Sequence, residues 1–208
     1  MCSQILGLTR ALETIHYCPV EADDMDSLLV DDARPFGRHG DMKPENILWF
    51  KDERLDNEES SIGVLKIADF GFADFHSEHS RSIRRSLVGG FTDTYKAPEY
   101  DTNQPISPKY DIWSFGCILL QFIVWYLRGW DGVDAFSKDR SDESRDEQIM
   151  TDHFFDLKQD GKGAFNAGLK TSVITVSLSQ RALSLSAVEL RYRCSRPSYI
   201  MKIVAIMF

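Results

Sequence analysis

The sequence has no cysteine pair at Cys-x-x-Cys spacing; Cys2, Cys18, Cys117 and Cys194 stand far apart. Disulfide frameworks are usually denser and zinc sites more closely spaced, so reduced thiols inside a cell are expected. Basic charge is also in short supply, with 24 Lys and Arg against 32 Asp and Glu and a formal net charge of −8. That balance removes the simplest ground for a nucleic-acid or membrane-surface binder. Residues 1–10 hold no basic region followed by an apolar run, so no secretory signal is visible. The longest apolar stretch, 117–127, is interrupted by Gln121 and falls short of the about 20 residues that cross a bilayer. No internal repeat is visible. The expectation is a soluble intracellular protein, cytoplasmic or nuclear, with neither nucleic acid nor membrane as a partner.

What is present is an ordinary globular mixture, 43% hydrophobic and 27% charged over 208 residues, enough for one sizeable core or two small ones. Ile5, Leu8, Leu12 and Ile15 recur at helical spacing behind Ser3 as a cap, which predicts a helix over 3–17. Pro19, Pro35, Gly37 and many acids make 18–38 a loop or insertion. Two short apolar runs, 47–50 and 64–67, read as a β-hairpin joined by the acidic, solvated stretch 51–63. Residues 72–96, rich in Ser, Thr and Gly, read as an extended loop. Beyond Pro108 the run 110–128 is apolar nearly all round, as a helix inside a core would be, with Gly129 and Gly132 ending it. Residues 138–158 read as a surface helix that docks through Ile149, Met150, Phe154, Phe155 and Leu157, the acids from Asp139 to Asp160 forming its solvated face. From 169 onward, Ser172, Ser177, Ser179, Ser184 and Ser186 among Val, Ile and Leu suggest strands, followed by an apolar run over 200–208.

The chemistry concentrates in four short pieces. Arg38-His39-Gly40-Asp41-Met42-Lys43-Pro44-Glu45-Asn46 precedes the first strand of the hairpin, and Ala68-Asp69-Phe70-Gly71 follows the second. Ala97-Pro98-Glu99 and Asp111-Ile112-Trp113-Ser114-Phe115-Gly116 come next. Each alone is weak; in this order and spacing they form a strong signal. The sequence resembles the C-terminal lobe of a eukaryotic protein kinase over residues 3–157, and the run 37–50 looks most like a fungal subgroup. The resemblance implies an α+β fold, mainly α: a kinase-like C-lobe over 1–168 with a small β-hairpin, an incomplete domain, and a divergent tail over 169–208. Within it the catalytic loop would be 39–46, the activation segment 69–99 and the central apolar helix about 110–128.

The resemblance also implies roles. Asp41 would be the base that orients the attacking hydroxyl, and Lys43 would steady the transferred phosphoryl group, as in Ser/Thr-type members. Asn46 and Asp69 would ligate two magnesium ions and, with Lys43, hold ATP. Thr92 would bond to the catalytic Asp and Lys, with Thr94 as its rival if the loop register differs. His39 would support the loop by packing, and Asp111 would hold the loop's backbone. The implied activity is ATP-dependent phosphorylation of protein Ser or Thr hydroxyls with magnesium.

The chain departs from the family in three places. Gly40 stands where most members carry an Arg that pairs with an activation-segment phosphate, so phosphorylation near Arg81, Ser82, Arg84, Arg85 and Ser86 is not expected to switch the protein. No Gly-x-Gly-x-x-Gly precedes residue 39, so the expectation is a truncated kinase whose isolated chain is inactive. The tail does not resemble the family's last helices, which leaves Arg181, Arg191 and Arg193 as candidate partners for Glu99 only because they are basic. Two other readings stay open. One is a pseudokinase or scaffold that binds a protein on the surface facing the missing N-lobe. The other is a non-functional gene-model fragment of a larger kinase.

Overall fold

A computed structural model describes residues 2–17, 36–51, 63–76, 93–102, 104–144, 151–161, 163 and 165–188. The chain divides into two compact units, the first formed by 1–91 with 105–111 and the second by 92–104 with 112–208.

In the first unit, α1 (Cys2–His16) starts one residue before the expected cap, so Ser3 lies inside the helix. Its apolar stripe buries Ile5, Leu8 and Leu12 as helical spacing requires. Each such burial contributes about 1.5–3 kcal/mol. Gln4 adds a polar clamp. Its Nε2 donates to the Gly63 carbonyl at 2.7 Å and its Oε1 accepts the Leu65 N–H at 2.9 Å, which fastens the helix to a strand edge.

The hairpin forms as the sequence predicts, β2 (Ile47–Phe50) pairing antiparallel with β3 (Val64–Ile67) from Ile47↔Ile67 to Phe50↔Val64. Two further strands were not predicted. β1 (Phe36–Arg38) lies where a loop was expected, and it pairs antiparallel with β4 (Asp74–His76), inside the stretch expected to be extended loop. These three-residue strands are too short to show a period, and Gly37 masks the first. Together the two ladders bracket the loops that carry the motif residues: 39–46 runs from β1 to β2, and 68–73 from β3 to β4. Of the stretches expected to be loops, 18–38 and 51–63, residues 18–35 and 52–62 lie outside the described residues.

The second unit is built on the apolar helix α2 (Lys109–Asp142). Gly129 breaks it as expected, with φ 68° and ψ −166°, yet the chain resumes helix immediately and continues past Gly132. Phe115, Cys117, Ile118, Leu119, Leu120 and Val124 are buried, but Trp125, Tyr126 and Leu127 are exposed, so the run is not buried all round. By length and composition alone α2 passes as a membrane span; 56% of its most apolar window is buried, as in the core helix of a soluble fold. Burial pushes the Cys117 thiol far above its usual range, which keeps it protonated and unreactive.

The predicted surface helix over 138–158 is not formed as such. Residues 138–142 finish α2, and Phe155–Gln159 is instead β5, paired antiparallel with β6 (Phe165–Leu169). Ile149 and Met150 lie outside the described residues. The aromatic pair expected to dock does so: Phe154 and Phe155 are buried, Phe154 edge-on to Phe136 at 5.8 Å and Phe155 edge-on to Trp113 at 5.9 Å. The acids of this region are not a uniformly solvated face, since Glu143 and Asp152 accept several hydrogen bonds.

Strands were expected after 169, but α3 (Thr171–Val188) is a helix. The Glu143 carboxylate caps it, accepting the Thr171 and Ser172 N–H groups at 2.6 and 2.7 Å. Ser177 Oγ bonds back to the Val173 carbonyl at 2.8 Å, so its hydroxyl is satisfied within the helix. Tertiary capping and the burial of Val173 override the local β preference. Residues 189–208, with Arg191, Arg193 and the apolar run 200–208, lie outside the described residues, and so does the side chain of Arg181.

Candidate functional site

The loop 39–46 hangs from a single buried carboxylate at the start of α2. Asp111 is fully buried; its Oδ2 accepts the His39 N–H at 2.7 Å and its Oδ1 accepts the Gly40 N–H at 2.9 Å. His16, at the end of α1, brings Nε2 to 2.9 Å from Asp111 Oδ2. Three groups therefore share one anion, and the backbone entering Asp41 is fixed. His39 is also fully buried, edge-on to Phe70 at 5.2 Å, with Nε2 at 3.1 Å from the Ala68 carbonyl and Nδ1 accepting the Asp41 N–H at 3.3 Å.

Gly40 fits because it lacks a side chain. Its φ is +83°, and a Cβ there would lie 2.7 Å from the Phe72 carbonyl oxygen. The arginine common at this position in the family thus cannot occupy this backbone unstrained. Gly40→Ala is expected to destabilise the protein by about 1–3 kcal/mol, read as a lower denaturant midpoint at unchanged slope. An unchanged midpoint would show that the loop adopts another conformation.

Asp41 is buried, and its Oδ2 lies 2.7 Å from Lys43 Nζ. The Asp41 hydrogen bond, reinforced by the charges of Asp41, Glu45 and Asp69, raises the Lys43 pKa, so the ammonium stays charged at neutral pH. Pro44–Asn46 forms a 3-10 turn with Pro at its start, where a missing N–H costs nothing. That turn swings Asn46 back over the loop, where Nδ2 donates to the Asp41 carbonyl at 2.8 Å and to Asp41 Oδ2 at 3.2 Å. With both bonds made through nitrogen, the amide oxygen remains as a hard donor suited to a cation.

The Asn46 carbonyl accepts the Ala68 N–H at 2.9 Å, which places Asp69 one residue beyond a direct backbone link to Asn46. Asp69 is exposed and holds a left-handed backbone, φ 64°, the one positive-φ residue other than glycine among the described residues. Its Oδ1 accepts the Gly71 N–H at 3.2 Å, the local bond by which Asp tolerates this region. Asp41, Lys43, Asn46 and Asp69 therefore gather on two adjoining loops: two carboxylates, an amide oxygen and an ammonium, a set suited to a cation and phosphate oxygens. Among the described residues no group of three or more His, Cys, Asp or Glu is arranged to hold a metal by itself.

Thr92 lies outside the described residues, as do Arg81, Ser82, Arg84, Arg85 and Ser86. The rival Thr94 belongs to the second unit, where its hydroxyl donates to Asp152 Oδ1 at 2.6 Å. Glu99 sits half-buried in the 3-10 turn Pro98–Tyr100. Sequence reasoning missed Gln4 and His16, whose only signal is a polar residue on or beside an apolar helical stripe. It also missed Arg140 and Lys170, two cations buried in the second unit.

Known proteins show similarity at the level of the whole domain. The chain is 36% identical over 115 residues to the serine/threonine-protein kinase chk-2 of Caenorhabditis elegans, a match covering 54% of this chain and 20% of that protein. It is 37% identical over 93 residues to a putative serine/threonine-protein kinase of Acanthamoeba polyphaga mimivirus, covering 41% of this chain and 20% of that one. It is 46% identical over 81 residues to a probable myosin light chain kinase of Dictyostelium discoideum, covering 39% and 14%. The chain thus spans about a fifth or less of the length of these curated relatives. Residues 37–185, well over half of the chain, match the protein kinase domain, and the chain belongs to the protein kinase family.

Proposed function

We propose that this chain is the C-lobe of a serine/threonine protein kinase, the part that carries the base and the metal ligands, of a type similar to a fungal subgroup. The observation that supports it most is the Asp41–Lys43 pair, 2.7 Å apart, with Asn46 bonded to the same aspartate. In this reading Asp41 accepts the proton of a substrate Ser or Thr hydroxyl as that oxygen bonds to the γ-phosphorus of ATP. The bond from that phosphorus to the bridging oxygen breaks, and ADP leaves with the electron pair. Lys43 holds the oxygens of the phosphoryl group in transit, and Thr92 bonds to the catalytic pair. Asn46 and Asp69 hold magnesium, which when bound spreads the charge developing on the phosphates. The kinase relatives support a protein substrate, the net charge of −8 speaks against nucleic acid as a partner, and the sparse cysteines favour an intracellular location.

The full-length protein is expected to transfer the γ-phosphate of Mg-ATP to a Ser- or Thr-containing peptide, and absence of transfer would overturn the reading. Residues 1–208 alone contain no Gly-rich loop before residue 39 to cover the nucleotide. Calorimetry on them is therefore expected to show no micromolar affinity for Mg-ATP, and micromolar binding would contradict this. A second reading, a scaffold lobe, draws support from Leu48, Phe50 and Val64, exposed apolar residues that share one face of the β2–β3 hairpin. It would gain from partner capture that an Asp41→Asn change leaves intact in a protein without transfer activity.

A further inference from the structure

We infer that Arg38 is a receptor for a phosphate-type oxyanion, a role that goes beyond the kinase reading and does not depend on it. Arg38 ends β1 and is only 5% exposed. A guanidinium keeps its proton inside proteins, so its burial cannot be relieved by neutralisation. It calls for an anion beside it. Among the described residues its Nε, shielded from solvent, has no acceptor, and its guanidinium has no carboxylate within ion-pair distance.

Arg140, the other buried arginine among the described residues, shows what such a group receives when the chain satisfies it. It donates to Asp152 Oδ2 at 3.4 Å, to the Asp152 carbonyl at 2.9 Å and to the Phe136 carbonyl at 3.2 Å. Arg38 receives one aromatic face. Its guanidinium carbon lies 5.7 Å from the Tyr110 ring centroid, close to the limit of about 6 Å for such attraction. The acids nearest to it are committed. Asp74, its register partner on β4, has its interactions elsewhere. Asp111, next to Tyr110 in sequence, spends both oxygens on His39, Gly40 and His16.

A chain with 32 Asp and Glu that gives a buried arginine none of them leaves the pairing to an anion from outside. A phosphate group suits the guanidinium fork, since it carries about 1.5–2 negative charges near neutral pH and several acceptor oxygens. β1 and β4 are three residues each, and so short a ladder opens locally at little cost, which gives the anion a way in. Loop 39–46 begins at the residue after Arg38, and loop 68–73 ends where β4 begins. An anion on Arg38 therefore pins the ladder from which both loops leave.

The test titrates inorganic phosphate into the full-length protein, with chloride at matched ionic strength as the control. It is repeated with a short peptide carrying one phosphoserine, whose unphosphorylated form is the blank. Arg38→Met removes the charge and keeps the bulk, while Arg38→Lys keeps the charge without the fork. Wild type is expected to show a saturable rise in thermal midpoint with phosphate and slower exchange of the β1–β4 amides. Arg38→Met is expected to weaken that binding about tenfold or more, and Arg38→Lys to weaken it less. Tighter binding of the phosphopeptide than of the free ion assigns the anion to a phosphorylated side chain; the reverse assigns it to phosphate in solution. No phosphate-specific shift in wild type overturns the site, and so does equal affinity in the two variants and wild type, which would place the phosphate elsewhere. In phosphate-free buffer Arg38→Met is expected to be at least as stable as wild type, because an unpaired buried charge is gone. A lower midpoint would mean that the chain itself already pairs Arg38, and would overturn the proposal as well.

Discussion

Asp111→Ala is expected to remove about 3–5 kcal/mol of stability and to release the 39–46 loop before the rest of the first unit unfolds. The carboxylate is fully buried and serves three donors, the amides of His39 and Gly40 and the ring of His16. Deleting it leaves all three without that acceptor inside the protein, and an orphaned buried donor costs about 1–3 kcal/mol. Total stabilities of single domains are about 5–15 kcal/mol, so the loss is a large share. Asp111→Asn is expected to be only partly better, because its NH2 would face an N–H where an oxygen is needed. Amide exchange reads the outcome: His39 and Gly40 should lose protection by more than the β2–β3 amides do. Equal loss throughout would mean that Asp111 supports the whole unit and not the loop in particular.

The elements that the sequence disclosed are those with a clear period or a clear motif. The stripe Ile5, Leu8, Leu12 gives α1, and the matched runs 47–50 and 64–67 give the two strands of the hairpin. The loop acid Asp41 and its neighbours Lys43 and Asn46 were legible as a motif, and the fold brings them within hydrogen-bonding distance. What was illegible depends on partners remote in sequence. β1 and β4 exist as three-residue strands through each other. α3 looked like strands because Ser, Val and Ile alternate; its cap comes from Glu143, on a segment that sequence alone assigned to a solvated face. Nothing in the sequence marks Arg140 and Lys170 as buried, since only the folded chain reveals the carbonyls and rings that receive them. Gly40 was legible as a departure from the family. Its reason, a left-handed backbone against the Phe72 carbonyl, was not.

The second large effect falls on chemistry and leaves the fold alone. Asp41→Asn preserves shape and the contact with Asn46, since Asn46 bonds first to the Asp41 backbone carbonyl. It removes the group that accepts the hydroxyl proton and the anion that holds Lys43 at 2.7 Å. Loss of a positioned base costs about a hundred- to ten-thousand-fold in rate. Lys43 also loses the chief cause of its raised pKa, but at neutral pH it stays an ammonium, so the effect belongs to the base.

The most direct measurement is therefore kcat for phosphoryl transfer from Mg-ATP to a Ser- or Thr-containing peptide by the full-length protein, wild type beside Asp41→Asn. Amide exchange over 39–46 should be taken on the same samples. The account predicts a fall in kcat of about a hundredfold or more while exchange stays at the wild-type rate. Transfer that persists in a folded Asp41→Asn protein would contradict it, and would move the base away from the loop on which Asp111 converges.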